Sequence, residues 1–165
     1  MILTCRNSEM YPKILVPLDG SELAECVLPH VESIANGCGT SEVSFLRVVE
    51  PVYPLVSGDA GYTFTVKDWQ QIESANRTAA ENYLTELTGR IKYDKVKINS
   101  EIMTGRAAES ITDYARRNNI NLIALASHGR GGVSRWVFGS VADRVIRSSS
   151  VPVLIIRAPG CVPGI

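Results

Sequence analysis

The sequence predicts a single doubly wound α/β domain with a five-stranded parallel sheet flanked by helices. Three observations carry that expectation. Short β-prone runs, too brief for helices, recur five times, and several are continuously apolar, as strands buried on both faces require. Between them lie longer segments whose apolar residues return every three or four positions. At 165 residues, 45% hydrophobic and 21% charged, the chain is long enough for one well-cored domain and unlike a disordered or fibrous one. Strands alternating with helices call for right-handed crossovers, with helices on both faces.

The first strand is Lys13-Ile14-Leu15-Val16-Pro17-Leu18, bounded by Pro12 and Asp19-Gly20. Over 21–35, Leu23, Ala24, Val27, Leu28, Val31, Ile34 and Ala35 trace one helical face, with Gly37 as the stop. Pro29 must kink or restart this helix, because it lacks an N–H and its ring crowds the preceding turn. Residues 43–49 form the second strand. Glu50-Pro51-Val52-Tyr53-Pro54 then opens an irregular segment to about residue 65, long enough to be functional or mobile. Trp69, Ile72, Ala75, Ala79, Tyr83, Leu84 and Leu87 mark one face of a long helix closed by Gly89. A strand over 96–102 follows, then a helix over 106–117 that buries Ala108, Ile111 and Ala115. Leu122-Ile123-Ala124-Leu125-Ala126 is a buried strand, followed by a glycine-rich loop from Ser127 to Gly139, a helix over 140–148 and a final strand over 151–156. Residues 1–9 read as a flexible leader, 10–158 as the domain and 159–165 as a C-terminal tail.

Seventeen basic residues balance seventeen acidic ones, so no net charge draws the protein to nucleic-acid phosphates or an anionic membrane. Cys5, Cys26, Cys38 and Cys161 form no C-x-x-C pair, and His30 and His128 are too few for a Cys/His zinc cluster. No secretory signal opens the chain, and no stretch approaches the roughly 20 apolar residues of a bilayer span. The expectation is a cytoplasmic protein with reduced thiols and neither a nucleic-acid nor a membrane partner.

In such sheets ligands sit beyond the carboxyl ends of the strands, where the strand order reverses. The segment Ala126-Ser127-His128-Gly129-Arg130-Gly131-Gly132 leaves a buried strand, and Gly139-Ser140 opens a helix. Glycines let backbone N–H groups turn toward a phosphate, and a helix N-terminus adds unpaired donors. A plain turn is the alternative, with Ser140 capping its helix, since Ser140 and Asp143 also fit S-x-x-D. Neither G-x-x-x-x-G-K-[ST] nor G-x-G-x-x-G is present, which argues against a P-loop NTPase and an NAD enzyme.

Ala126-Ser127-His128-Gly129, nine residues from Arg130 to Phe138, and Gly139-Ser140 resemble the fingerprint G-x2-G-x9-G-[ST] of the universal stress protein family. The opening 13–21 and the closing Val151-Pro152-Val153-Leu154-Ile155-Ile156 are similar to that family's first and last strands, so the resemblance spans essentially 10–157. It implies an adenine nucleotide α-hydrolase-like, Rossmann-like fold and binding of ATP with Mg2+. On this chain it implies that Gly129, Gly139 and Ser140 cradle the phosphates and that Asp19 accepts from the ribose or helps hold the metal. Pro17 and Val48 would border the adenine, and Gly105 would let the nucleotide approach; from their place in the loop Arg130 and Arg135 could reach the phosphates, with Arg130 the candidate. The first fingerprint glycine is Ala126 here, and its methyl is accommodated if φ at this position is negative.

Each position has a plainer reading: Asp19 as a helix N-cap with Glu22 completing the box, Pro17 and Val48 as core, Arg130 and Arg135 as solvated charges. Trp136, Val137 and Phe138 pack under the loop or face a partner. No activated nucleophile is visible, because Ser127 and His128 are adjacent on a strand end and point apart, so no catalytic residue is assigned. The resemblance also implies an edge position for the last strand and a homodimer through it, which would cover an apolar edge. The leading expectation is an ATP-loaded stress-response module acting through a protein partner. The alternatives are a nucleotide-free interaction dimer and a weak Mg2+-dependent ATP hydrolase or phosphotransferase using Asp19 with Arg130 or Arg135.

Overall fold

Strand β1 (Lys13–Pro17) lies at the centre of the molecule, and its side chains divide the core in two. Ile14 and Val16 join Val27, Val31, Phe45, Leu84 and Leu87 on one face of the sheet. Leu15 joins Leu46, Ile111, Ile123 and Val145 on the other. Each such side chain contributes about 1.5–3 kcal/mol on burial, so the two-faced apolar strand is the principal organiser of the fold. The computed structural model describes residues 10–51, 66–127 and 139–157.

After β1 come α1 (Glu22–Glu25), α2 (Leu28–Gly37), β2 (Glu42–Val49), α3 (Val66–Arg90) and β3 (Lys97–Thr104). Then follow α4 (Ala107–Arg117), β4 (Leu122–Ala126), α5 (Ser140–Ser148) and β5 (Val153–Ile156). The five strands lie in the order β3-β2-β1-β4-β5, and every neighbouring pair is parallel, as the alternating pattern predicts. α1, α2 and α3 contribute to the first core layer, and α4 and α5 to the second. β3 and β5 are the edges; β3 carries exposed Lys97 and Glu101, whereas β5 is Val153-Leu154-Ile155-Ile156.

Four local outcomes refine the expectations. The helix predicted over 21–35 is two helices, broken at Cys26 and Val27, with Pro29 in the first turn of α2. Pro29 would crowd the carbonyl four residues back, that of Glu25, so the first helix ends there and restarts where proline is favoured. Gly89 does not close α3, which runs to Arg90; an added Cβ there would meet nothing within 4 Å. Ala75 and Ala79 are exposed, and the buried line is Ala80, Leu84 and Leu87. A helix of 25 residues is about 37 Å long, against about 26 Å for the eight-residue strands beneath it, so its first turns overhang the sheet. The last strand begins at Val153 because Ser149 Oγ and Val151 form a local turn and Pro152 has no N–H for the ladder.

The expected leader, the segment 52–65, the loop positions 128–138 and the tail beyond 157 lie outside the described residues. Among the described residues no helix is long and apolar enough to cross a membrane.

Candidate functional site

The β1–β4 ladder covers two pairs, Ile14↔Leu122 and Leu15↔Ile123, whereas β1 pairs with β2 from Lys13↔Glu42 through Pro17↔Leu46. The β1–β4 ladder ends at Leu15↔Ile123, before the last residues of either strand. This is also the point where the chain turns one way toward β2 and β3 and the other toward β4 and β5, the switch point at which doubly wound sheets bind ligands.

The carboxyl edge of the sheet gathers the described candidates in strand order. Gly105 follows β3, and its N–H donates to Val49 O at 3.1 Å, joining the exits of β3 and β2. Its φ of 149° is a conformation that favours glycine, and an added Cβ would lie 3.0 Å from Ser110 Oγ. Val48 is buried in the layer with Leu15, Ala108 and Ile111, so its core reading holds, and that is compatible with a binding role. Pro17, half-buried, ends β1 opposite Leu46, and Leu18 N–H donates to Leu46 O at 2.9 Å. Arg47 Nη1 donates to Leu18 O at 3.4 Å, which places a cation beside the β1 exit.

Asp19 is not the N-cap. Ser21 is: it is extended at φ −95°, ψ 149°, and its Oγ accepts from Ala24 N–H at 3.2 Å. Asp19 stands two residues earlier, its Oδ1 accepting from Ser21 N–H at 2.9 Å and Ser21 Oγ–H at 2.6 Å across Gly20, whose φ is 79°. The intervening glycine adopts the left-handed turn that brings the serine back onto the carboxylate. Behind this turn, Glu25 accepts from Tyr83 Oη at 3.0 Å and pairs with Arg90, tying α1 to α3. Burial first, then the bond to Glu25, holds the Tyr83 phenol far above its usual range, and the charge of Asp19 adds to the shift.

On the other side of the switch point, Ala126 is the last residue of β4, paired with Ile156 and half-buried. It is not among the described residues with positive φ, so its methyl strains nothing in the backbone. Ser127 N–H donates to Ile156 O at 2.7 Å, and Ser127 O accepts from Gly139 N–H at 2.8 Å, which joins the two ends of the loop. Gly139, not Ser140, is the N-cap of α5, and no side chain caps it. Ser140 is the exposed first residue of the helix, and Asp143 N–H returns to Gly139 O at 3.0 Å. The capping reading of Ser140 is thereby corrected: a residue already in helical conformation cannot be the cap that precedes it. Gly129 and Arg130 lie outside the described residues.

One feature had no clear sequence signal. Glu50 Oε1 accepts from Ala107 N–H at 3.1 Å, so a carboxylate at the end of β2 caps α4, whose own N-cap residue, Arg106, makes no side-chain bond. Among the described residues no group of three His, Cys, Asp or Glu could hold a metal ion.

The universal stress protein family model matches residues 10–157. The chain belongs to the universal stress protein family. Universal stress protein MJ0531 of Methanocaldococcus jannaschii is 31% identical over 155 residues, 93% of this chain and 87% of its own length. The solved structure of universal stress protein MJ0577 from the same archaeon gives a TM-score of 0.76 at 26% identity, over 92% of this chain and 99% of the other. More distant universal stress proteins share the fold. One from Arabidopsis thaliana was solved with AMP bound (16% identity, TM-score 0.61, 90% of this chain and 92% of the other). Another was solved in complex with cAMP (17%, 0.58, 91% and 99%).

Proposed function

We propose that this universal stress protein binds an adenine nucleotide, ATP with Mg2+, in the crevice between β1 and β4, and acts as a stress-response module through a protein partner. The observation that carries the reading is the start of α5. Its cap is a glycine without a side-chain bond, it is joined to the end of β4 through Ser127, and it lies at the switch point where the β1–β4 ladder ends. First-turn N–H groups and the positive end of the helix dipole then stand ready for phosphate oxygens. AMP and cAMP complexes of proteins with this fold support an adenine nucleotide as the occupant.

In this reading Ser140 and the first-turn N–H groups of α5 hold phosphate oxygens together with Gly129 of the fingerprint, Gly139, whose own N–H is taken by Ser127 O, lets the phosphate approach the helix start, and Arg130 adds charge. Asp19 accepts from a ribose hydroxyl, Pro17 and Val48 border the base, and Gly105 leaves room for it. A Mg2+ ion prefers oxygen ligands and keeps most of its water, so it would enter on the phosphates, with Asp19 as the carboxylate this chain supplies. The apolar edge strand β5 suits pairing with a second copy, and light scattering at micromolar concentration is expected to give a dimer.

The test is to denature freshly purified protein, identify any released nucleotide by chromatography, and titrate the emptied protein with ATP and Mg2+ in a calorimeter. The expected result is close to one ATP per chain. No nucleotide and no binding, confirmed by an independent assay, overturns the reading and leaves the interaction dimer.

A further inference from the structure

We propose that one water molecule is bound inside the protein between α4 and the strands β2 and β3, held by Ser44 Oγ, the Tyr114 hydroxyl and the Asn99 side chain. The proposal is independent of the nucleotide reading. Three observations carry it. Ser44, near the middle of β2, is 1% exposed, and its Oγ is the buried side-chain oxygen that has no hydrogen-bond partner among the described residues. It lies on the α4 side of the sheet, because its ladder partner on β1 is Leu15, a member of that core layer. Its partner on β3 is Asn99, half-buried, and residues paired across a parallel ladder project to the same face, so the amide stands beside the hydroxyl. Tyr114 of α4 is buried in the same layer. Burial raises its phenol above the usual range, Ser44 draws it back and Glu101 adds to the rise, so the Tyr114 hydroxyl stands beside both.

A hydroxyl taken out of water without a partner is costly, and the apolar neighbours Leu15 and Leu46 offer none. The phenol has a single proton for two neighbours. Donating it to the Glu101 carboxylate makes the stronger, charge-assisted bond, which leaves the phenol oxygen as an acceptor and Ser44 without that donor. A buried water typically makes about three hydrogen bonds to polar groups that lack other partners. Here a hydroxyl, a phenol oxygen and an amide supply both donors and acceptors, so a water can accept from Ser44 or Asn99 and donate to Tyr114. The bound water ties the third turn of α4 to the β2–β3 edge of the sheet, where the face under the helix changes from apolar to polar.

The test joins a high-resolution crystal structure of the wild type to a double-mutant cycle. The crystal structure is expected to show one ordered water within hydrogen-bond distance of Ser44 Oγ and Tyr114 Oη. Ser44→Ala and Tyr114→Phe are each expected to lower the melting temperature by about 2–4 °C, the effect of one net hydrogen bond in a domain of this size. The double variant falls little further than either alone, because both changes remove the same bridge. A dry site behaves in the opposite way, since Ser44→Ala then removes an unpaired hydroxyl and the protein melts above wild type. That result overturns the proposal, as does a wild-type crystal structure with no water at this place or with a direct bond from Ser44 Oγ to Tyr114 Oη. Additive losses in the cycle overturn the shared bridge. The wild-type structure decides the matter even where a variant fails to fold.

Discussion

Gly105→Ala probes the backbone of the carboxyl edge more sharply than any other single change. Gly105 has φ 149°, its N–H donates to Val49 O, and an added Cβ would lie 3.0 Å from Ser110 Oγ. Two contributions oppose alanine there. Holding a non-glycine residue in this region of φ costs about 1–3 kcal/mol. The contact with Ser110 Oγ is closer than ordinary Cβ contacts and adds up to about 1 kcal/mol of strain, which rotation of the hydroxyl partly relieves. The sum is about 1–4 kcal/mol, a fall in melting temperature of roughly 3–15 °C for a domain of this size. Urea unfolding of wild type, Gly105→Ala, Ser110→Ala and the double variant separates the contributions: the double variant recovers the steric part and leaves the conformational one. If Gly105→Ala is within 0.5 kcal/mol of wild type, on the order of an ordinary surface substitution, the assigned turn is wrong. In the nucleotide reading the same variant also weakens ATP binding, because the exits of β2 and β3 are joined through this residue.

Ala126→Gly restores the family fingerprint, yet the expected gain is none: the methyl lies on an unstrained strand residue, so stability falls by about 0.5–1 kcal/mol and ATP affinity stays within twofold. ATP binding that appears only in the glycine variant would show the methyl blocking the crevice. Lys95, exposed between α3 and β3, has φ 59°; Lys95→Gly is expected to raise stability by about 1 kcal/mol in urea unfolding, and an unchanged midpoint would refute the strain. Burial, then the charge of Glu32, pushes the Tyr93 phenol up to about 12. Its folded pKa exceeds the unfolded value of about 10, so folding favours the protonated form, with that stability complete below about pH 10 and lost as pH rises toward 12. Tyr93→Phe should flatten this alkaline fall, and an identical pH dependence in the two proteins would refute the assignment.

Strands and switch point were legible because burial on both faces leaves a signature that few other structures share, as in Ile14-Leu15-Val16 and in Leu122-Ile123-Ala124-Leu125. The turn after β1 was legible only in outline. Asp19 and Ser21 are both good N-cap residues, and spacing alone does not say which one caps and which is held by the cap. The fall of Gly89 inside α3 was hidden because a glycine near a helix end satisfies the stop pattern whether or not the backbone turns there. Ala75 and Ala79 misled for a different reason. Periodicity marks a face, but how far the sheet extends beneath that face is a tertiary fact. The Glu50 cap of α4 spans 57 residues of sequence, beyond the reach of any local motif.

The two edges of the sheet are not equivalent, and the difference sets what assembly can do. Exposed Lys97 and Glu101 guard β3, with Lys97 4.0 Å from Glu42, while β5 offers an apolar run. Strands adding at both edges would propagate a ribbon from copy to copy without end. With one receptive edge, two copies that meet there use up each other's capacity to grow. In the dimer proposed above, the charge pattern on β3 would act as a stop codon for further association, written in side chains at the far end of the sheet from where copies would meet.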